Sequence, residues 1–201
     1  SLGLSALHYQ ILASVDNSTG LAPEGTSFSL SADLHYPWIR SALSNWYVSV
    51  GYEDKWLHNR DDIQTLNELT TTSRTRNKSL NLGLYGNRFD QFLGGGYNNV
   101  SVFATFGKLD LAGSPLSLIQ NDALTAHTAG NFRKLRWNLS RVQTLSHNFS
   151  LYAASSGQLS AQNLDPSEKF YLGGVYGLRA YPSAEAGGSS AYLFSLELRK
   201  E

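Results

Sequence analysis

Ser27–Tyr36 reads SFSLSADLHY, in which Phe28, Leu30, Ala32, Leu34 and Tyr36 alternate with Ser27, Ser29, Ser31, Asp33 and His35. Successive side chains of a strand point to opposite faces, so a period of two describes a strand with one apolar and one polar face. The alternation returns at Trp46, Val48, Val50 and Tyr52; at Leu80, Leu82 and Leu84; at Val100, Val102, Ala104 and Phe106; at Leu135, Trp137 and Leu139; and at Tyr192, Phe194, Leu196 and Leu198. Weaker versions put Leu7, Tyr9 and Ile11, and Phe149, Leu151 and Ala153, on the apolar side. The spacing predicts an all-β chain of about eight strands, each of roughly 8 to 12 residues, divided by Gly, Pro, Asn, Asp and Ser clusters. No stretch carries the period of an amphipathic helix.

Composition narrows the class. The 201 residues are 41% hydrophobic, 12% aromatic and 16% charged, the balance of an ordered chain. Sixteen basic and 16 acidic side chains cancel, which argues against a nucleic-acid partner. Absence of cysteine excludes disulfides and thiolate metal sites, and fits either a reducing cytosol or an outer membrane reached through an oxidising periplasm. No run approaches the ~20 apolar residues of a spanning helix, and Ser1–Gly20 lacks a signal peptide's charged start and apolar block, so an exported protein would need a targeting segment these residues do not supply.

A soluble sandwich and a membrane barrel both alternate, and the polar rows separate them. Between the apolar positions lie Ser79, Asn81, Gly83 and Asn87, then Lys134, Arg136, Asn138 and Ser140, then Ser195, Glu197 and Arg199, groups suited to a water-filled lumen. Tyr36, Trp46, Tyr52, Phe106 and Tyr192 stand near strand ends, where a membrane barrel carries its aromatic girdles. Short breaks at Arg40–Ser44 and Ser146–Asn148 alternate with long ones at His58–Lys78, Leu111–Asn131 and Gln158–Ser190. Short turns on one side and long loops on the other favour a transmembrane antiparallel β-barrel over a soluble one.

Phe170–Pro182, FYLGGVYGLRAYP, sets Arg179 within an apolar, glycine-rich loop between two strand-like segments. A guanidinium keeps its charge, so Arg179 either sits at an exposed tip or reaches a carboxylate that the fold supplies.

Gln158, Asn163, Leu164, Ser167–Phe170, Leu172, Gly173, Gly174 and Gly177–Tyr181, ending in Tyr192–Arg199 (YLFSLELR), resemble the carboxy-terminal signature of the two-partner secretion transporters (TpsB), the ShlB/FhaC/HecB haemolysin secretion and activation family of the BamA-like superfamily. Leu34–Tyr47 and Phe132–Leu145 are also similar to that family's strands, so the resemblance covers most of the chain. It implies a barrel of roughly sixteen strands preceded by periplasmic domains, residues 1–201 holding about the fifth to the twelfth strand. The plug helix, both periplasmic domains and the remaining strands would lie elsewhere, and the chain alone would leave edge strands that lipid cannot satisfy.

In the superfamily the sixth extracellular loop folds into the lumen on a Val-Arg-Gly-Tyr or Phe motif, which here reads Leu178-Arg179-Ala180-Tyr181. By the resemblance these four lock the lumen loop, Gly173, Gly174 and Gly177 let its backbone pack closely, and Lys134, Arg136, Glu197 and Arg199 line the lumen. The arginine's acidic partner would belong to a strand beyond Arg199. Ala180 replaces the motif's glycine, and Gly187-Gly188-Ser189-Ser190 stands where relatives place Gly-Asp. The implied function is export of a large unfolded haemolysin- or adhesin-type exoprotein through the bacterial outer membrane. Its partners would be that client and, outside the wall, outer-membrane lipid and lipopolysaccharide. A BamA-like insertase and a passive pore or soluble β-barrel binder remain alternatives.

Other motifs read as scaffold. His8, His35, His58, His127 and His147 lack ligand spacing, and Glu53, Asp54, Asp61, Asp62 and Glu68 read as a solvated acidic loop. Gly94–Gly96 reads as a hairpin turn, and the chain has neither a nucleophile elbow nor a thiol, so no catalytic residue, metal or cofactor is expected.

Overall fold

The computed structural model describes residues 1–12, 21–63, 70–145, 148–173 and 186–200. Eight antiparallel strands form one sheet: β1 (Leu2–Leu12), β2 (Leu21–Arg40), β3 (Ser44–Ile63), β4 (Thr70–Asp90), β5 (Gly96–Asp110), β6 (Gly130–Thr144), β7 (Phe149–Ser160) and β10 (Ala191–Lys200). They pair in chain order, β10 joining β7, which leaves β1 and β10 as the sheet's edges. Between β7 and β10 lie two short strands, β8 (Phe170–Tyr171) and β9 (Gly187–Gly188), which pair with each other.

Register aligns the apolar rows across the sheet. Leu34, Val50, Leu82 and Ala104 stand opposite one another in turn, as do Ala104, Leu135 and Leu159. Directly opposed residues share a face, so these rows merge into one band. Many of its large side chains are exposed, from 38% at Val48 to 76% at Leu4, and others, Trp46, Leu84, Val102 and Trp137 among them, are half-buried. Buried apolar side chains among the described residues are three: Leu109 and Phe132, on the other side of the sheet, and Leu164 in the β7–β10 connection. The chain's surface of 13312 Å² exceeds the roughly 9,300 Å² expected of a compact soluble chain of this mass. An apolar face without a core behind it is what sheet strands facing hydrocarbon require.

The sequence reading needs correction in four places. His58–Lys78 is largely strand, since β3 runs to Ile63 and β4 starts at Thr70. These extensions lack the regular apolar alternation of the band. Glu53, Asp54, Asp61 and Asp62 consequently lie on β3 rather than in a loop, while Glu68 falls outside the described residues. On β1 it is Leu2, Leu4 and Ala6 that oppose Leu34, Ala32 and Leu30, so Leu7 and Tyr9 point to the polar side. A nine-residue helix, α1 (Leu116–Leu124), stands in the β5–β6 connection, too short to show an apolar period.

The alternation of connections holds only in part, because six residues join β3 to β4. Three residues join β2 to β3 and five join β4 to β5, whereas 19 join β5 to β6 and 30 join β7 to β10. A bulge at Trp38 follows Pro37, which cannot donate to the ladder. In the β4–β5 turn, Arg141 donates from Nη1 to Asp90 Oδ2 at 2.7 Å and from Nη2 to Oδ1 at 2.9 Å, and Asn98 adds a bond at 2.7 Å. Those Arg141 bonds, then that of Asn98, hold the Asp90 carboxyl well below the usual carboxylate range. Gln143 fastens the turn by donating to the carbonyls of Phe92, Leu93 and Gly95.

Candidate functional site: the polar face and the connection that crosses it

Opposite the apolar band lies a face built from Ser, Asn, Thr, Tyr and charged side chains. Lys134 and Arg136 take their place there on β6, opposite Ser160 and Gln158 of β7. Glu197 and Arg199 share the face at the other end of the sheet, on edge strand β10, opposite Tyr152 and Ser150. The four do not form one cluster.

At the long-loop end, the first residues of the β7–β10 connection, through Glu168, fold over this face and plant one carboxylate in it. Asp165 accepts from the Ser167 N–H at 2.9 Å and from its hydroxyl at 2.6 Å, and Pro166 opens a single 3₁₀ turn, Pro166–Glu168. That turn aims Glu168 at the sheet. Its Oε2 accepts from Lys134 Nζ at 2.5 Å, and Oε1 from Asn77 Nδ2 at 2.7 Å and Lys55 Nζ at 3.4 Å. Its carbonyl accepts from Lys134 Nζ at 3.1 Å and Gln158 Nε2 at 3.0 Å. The Lys134 and Glu168 side chains are 9% and 10% exposed, so water screens little of their attraction. Around the anchor, Leu164 is buried and Arg136 lies over the Phe170 ring at 5.4 Å. Leu109 and Phe132 complete the packing at this end, Gly107 lying beneath the Phe132 ring where a Cβ would collide.

Beneath the connection remains a cavity of about 470 Å³, and nearer the short turns another of about 730 Å³. The second is floored by rings. Tyr47 and Tyr85, opposite each other on β3 and β4, stack at 5.3 Å and 11°, with Phe103 6.3 Å beyond and His35 Nδ1 3.0 Å from the Tyr85 hydroxyl. Arg199 pairs with Glu197 at 2.7 Å and lies 4.3 Å from the Tyr152 ring.

Of the loop motif, Gly173 is half-buried, next to Leu172, whose N–H donates to the Ala186 carbonyl at 2.9 Å. Gly174, Gly177, Leu178, Arg179, Ala180 and Tyr181 lie outside the described residues. Sequence reading missed Glu168 as a site residue. Its sheet partners are 34, 91 and 113 residues away, and the only local signal is the Asp165-Pro166 turn start.

An exposed apolar band on one face, a polar face on the other, and a connection folded onto the polar side define a segment of transmembrane β-barrel wall. The chain is similar to the heme/hemopexin transporter protein HuxB of Haemophilus influenzae strain 86-028NP, 25% identical over 193 residues that make up 96% of this chain and 32% of that protein. It is likewise similar to the heme/hemopexin transporter protein HuxB of Haemophilus influenzae, 23% identical over 183 residues, 91% of this chain and 31% of that protein. The chain thus spans about a third of the length of these curated relatives. No family model and no solved structure matches it.

Proposed function

We propose that this chain is part of the wall of an outer-membrane transporter that exports an unfolded exoprotein by two-partner secretion. The observation that carries the reading is Glu168: the part of the β7–β10 connection that precedes Leu172 is ion-paired to the polar face through Lys134 and Lys55. Similarity to two heme/hemopexin transporter proteins along nearly the whole chain supports transport. In this reading the client passes along the polar face, over Tyr47, Tyr85 and Phe103, and its folding outside drives export. Lipid and lipopolysaccharide meet the apolar band. Leu178–Tyr181 complete the lock that Glu168 begins.

The test is a secretion assay on Arg179→Ala in the complete protein, in cells that make its exoprotein. Exoprotein in the medium is expected to fall at least about tenfold, with the amount of transporter in the outer membrane unchanged. Normal secretion refutes the lock. Normal secretion together with loss of other barrel proteins from the membrane establishes an insertase instead.

A further inference from the structure

On the apolar face, where the band ends toward the long connections, the sheet brings Lys78, Lys108 and Arg133 together from β4, β5 and β6. Lys78 stands directly opposite Lys108, and Arg133 opposite Phe106, one outward position along from Lys108's partner Asn131. All three side chains are exposed. Like charges directly opposed across a sheet destabilise it. Nearby carboxylates do not relieve this pair. Asp54, opposite Lys78, accepts from Arg76 Nε and Nη2 at 2.9 and 2.6 Å, and Asp110 accepts from the Ala112 N–H at 2.8 Å. Among the described residues none of the three cations is in an ion pair.

They rim a groove of about 600 Å³ whose other wall is Tyr52, Leu80 and Phe106, the top of the apolar band. One ligand chemistry matches both halves: an anionic head that bridges opposed cations, attached to chains that lie along hydrocarbon-facing side chains. We propose that Lys78, Lys108 and Arg133 form a binding site for the phosphate-bearing headgroup of a membrane lipid, a proposal that rests on the apolar face being lipid-facing. The guanidinium fork of Arg133 matches two phosphate oxygens, and the lysines supply point charges on either side. The lipid's chains run over Leu80, Leu82 and Leu135. A free polyanion would gain nothing from those side chains, and a chain of zero formal charge does not attract one.

The experiment uses the complete protein purified in an uncharged detergent, with native mass spectrometry as the readout and three probes: lipid A, lipid A stripped of its phosphates, and inorganic phosphate. Wild type is expected to retain lipid A. The variant Lys78→Gln/Lys108→Gln/Arg133→Gln should retain at least about tenfold less, and rising salt should act in the same direction. Arg40→Gln/Arg88→Gln/Lys200→Gln, the same charge change at the short-turn end, should retain it as wild type does. Equal retention of the phosphate-free lipid, or of inorganic phosphate alone, overturns the headgroup site. So does unchanged retention by the first variant. Wild type that remains monomeric without detergent removes the lipid-facing reading itself, whereas wild type that requires detergent while the first variant behaves normally removes this site alone.

Discussion

Glu168→Ala is expected to free the connection between β7 and β10 from the polar face. The substitution removes the carboxylate paired with the Lys134 ammonium, which is 9% exposed, and breaking a buried pair on one side costs about 3 to 5 kcal/mol. That cost falls on the local equilibrium between docked and undocked connection, since the sheet's ladders do not depend on it. Amide exchange at Leu164 and at position 168, whose N–H groups bond to Ser189 Oγ and the Asp165 carbonyl, should therefore quicken by roughly 100- to 4,000-fold. Amides within β5 and β6 should keep their protection. Lys134→Ala added to Glu168→Ala should cost less than the two single changes together, because the pair acts as a unit. Unchanged exchange at Leu164 in the single variant would remove Glu168 as the anchor.

Leu82→Arg carries the second large effect. Leu82 lies mid-band, opposite Val50 and Ala104, and is 42% exposed. An arginine on the lipid face at the midplane costs about 2 to 4 kcal/mol, so folding of the complete protein into vesicles should weaken by roughly 30- to 1,000-fold. Asn138→Arg, on the exposed part of the polar face between Ser101 and Ser156, should shift it by less than about 0.5 kcal/mol. Urea titration of both variants in the same vesicles gives the comparison, and equal costs would mean that the two faces see the same solvent.

Much of this was legible in the sequence wherever one rule governed. From Ser27 to Tyr36 and from Leu80 to Leu84, hydrocarbon on one side and water on the other force alternation, and the residues state the face directly. Where that constraint lapses, so does the signal. Beyond Trp56 on β3 the alternation stops, and Asn59 to Ile63 read as loop although the ladder to β4 continues. On β1 apolar residues occupy both parities, Leu2 and Leu4 on one and Leu7 and Tyr9 on the other, and only pairing with β2 chooses between them. Helix α1 is held by its surroundings: the Asp122 carboxylate, partly buried, accepts from Thr128 N–H and Oγ1 and from Ala129 N–H, and these bonds outweigh burial to lower its pKa. Glu168 was invisible for a different reason. Its role exists only once β3, β4, β6 and β7 bring Lys55, Asn77, Lys134 and Gln158 to one place.

The central claim is that side chains one residue apart on these strands face lipid and water respectively. The chain has no cysteine, so a single introduced thiol carries a fluorophore at one known place. Leu139→Cys and Asn138→Cys, adjacent on β6, are labelled in turn with an environment-sensitive dye and the protein is folded into vesicles containing lipids brominated mid-chain. Strong quenching at position 139 with little at 138 is the expected result; equal quenching at both, or quenching at 138 alone, would contradict it.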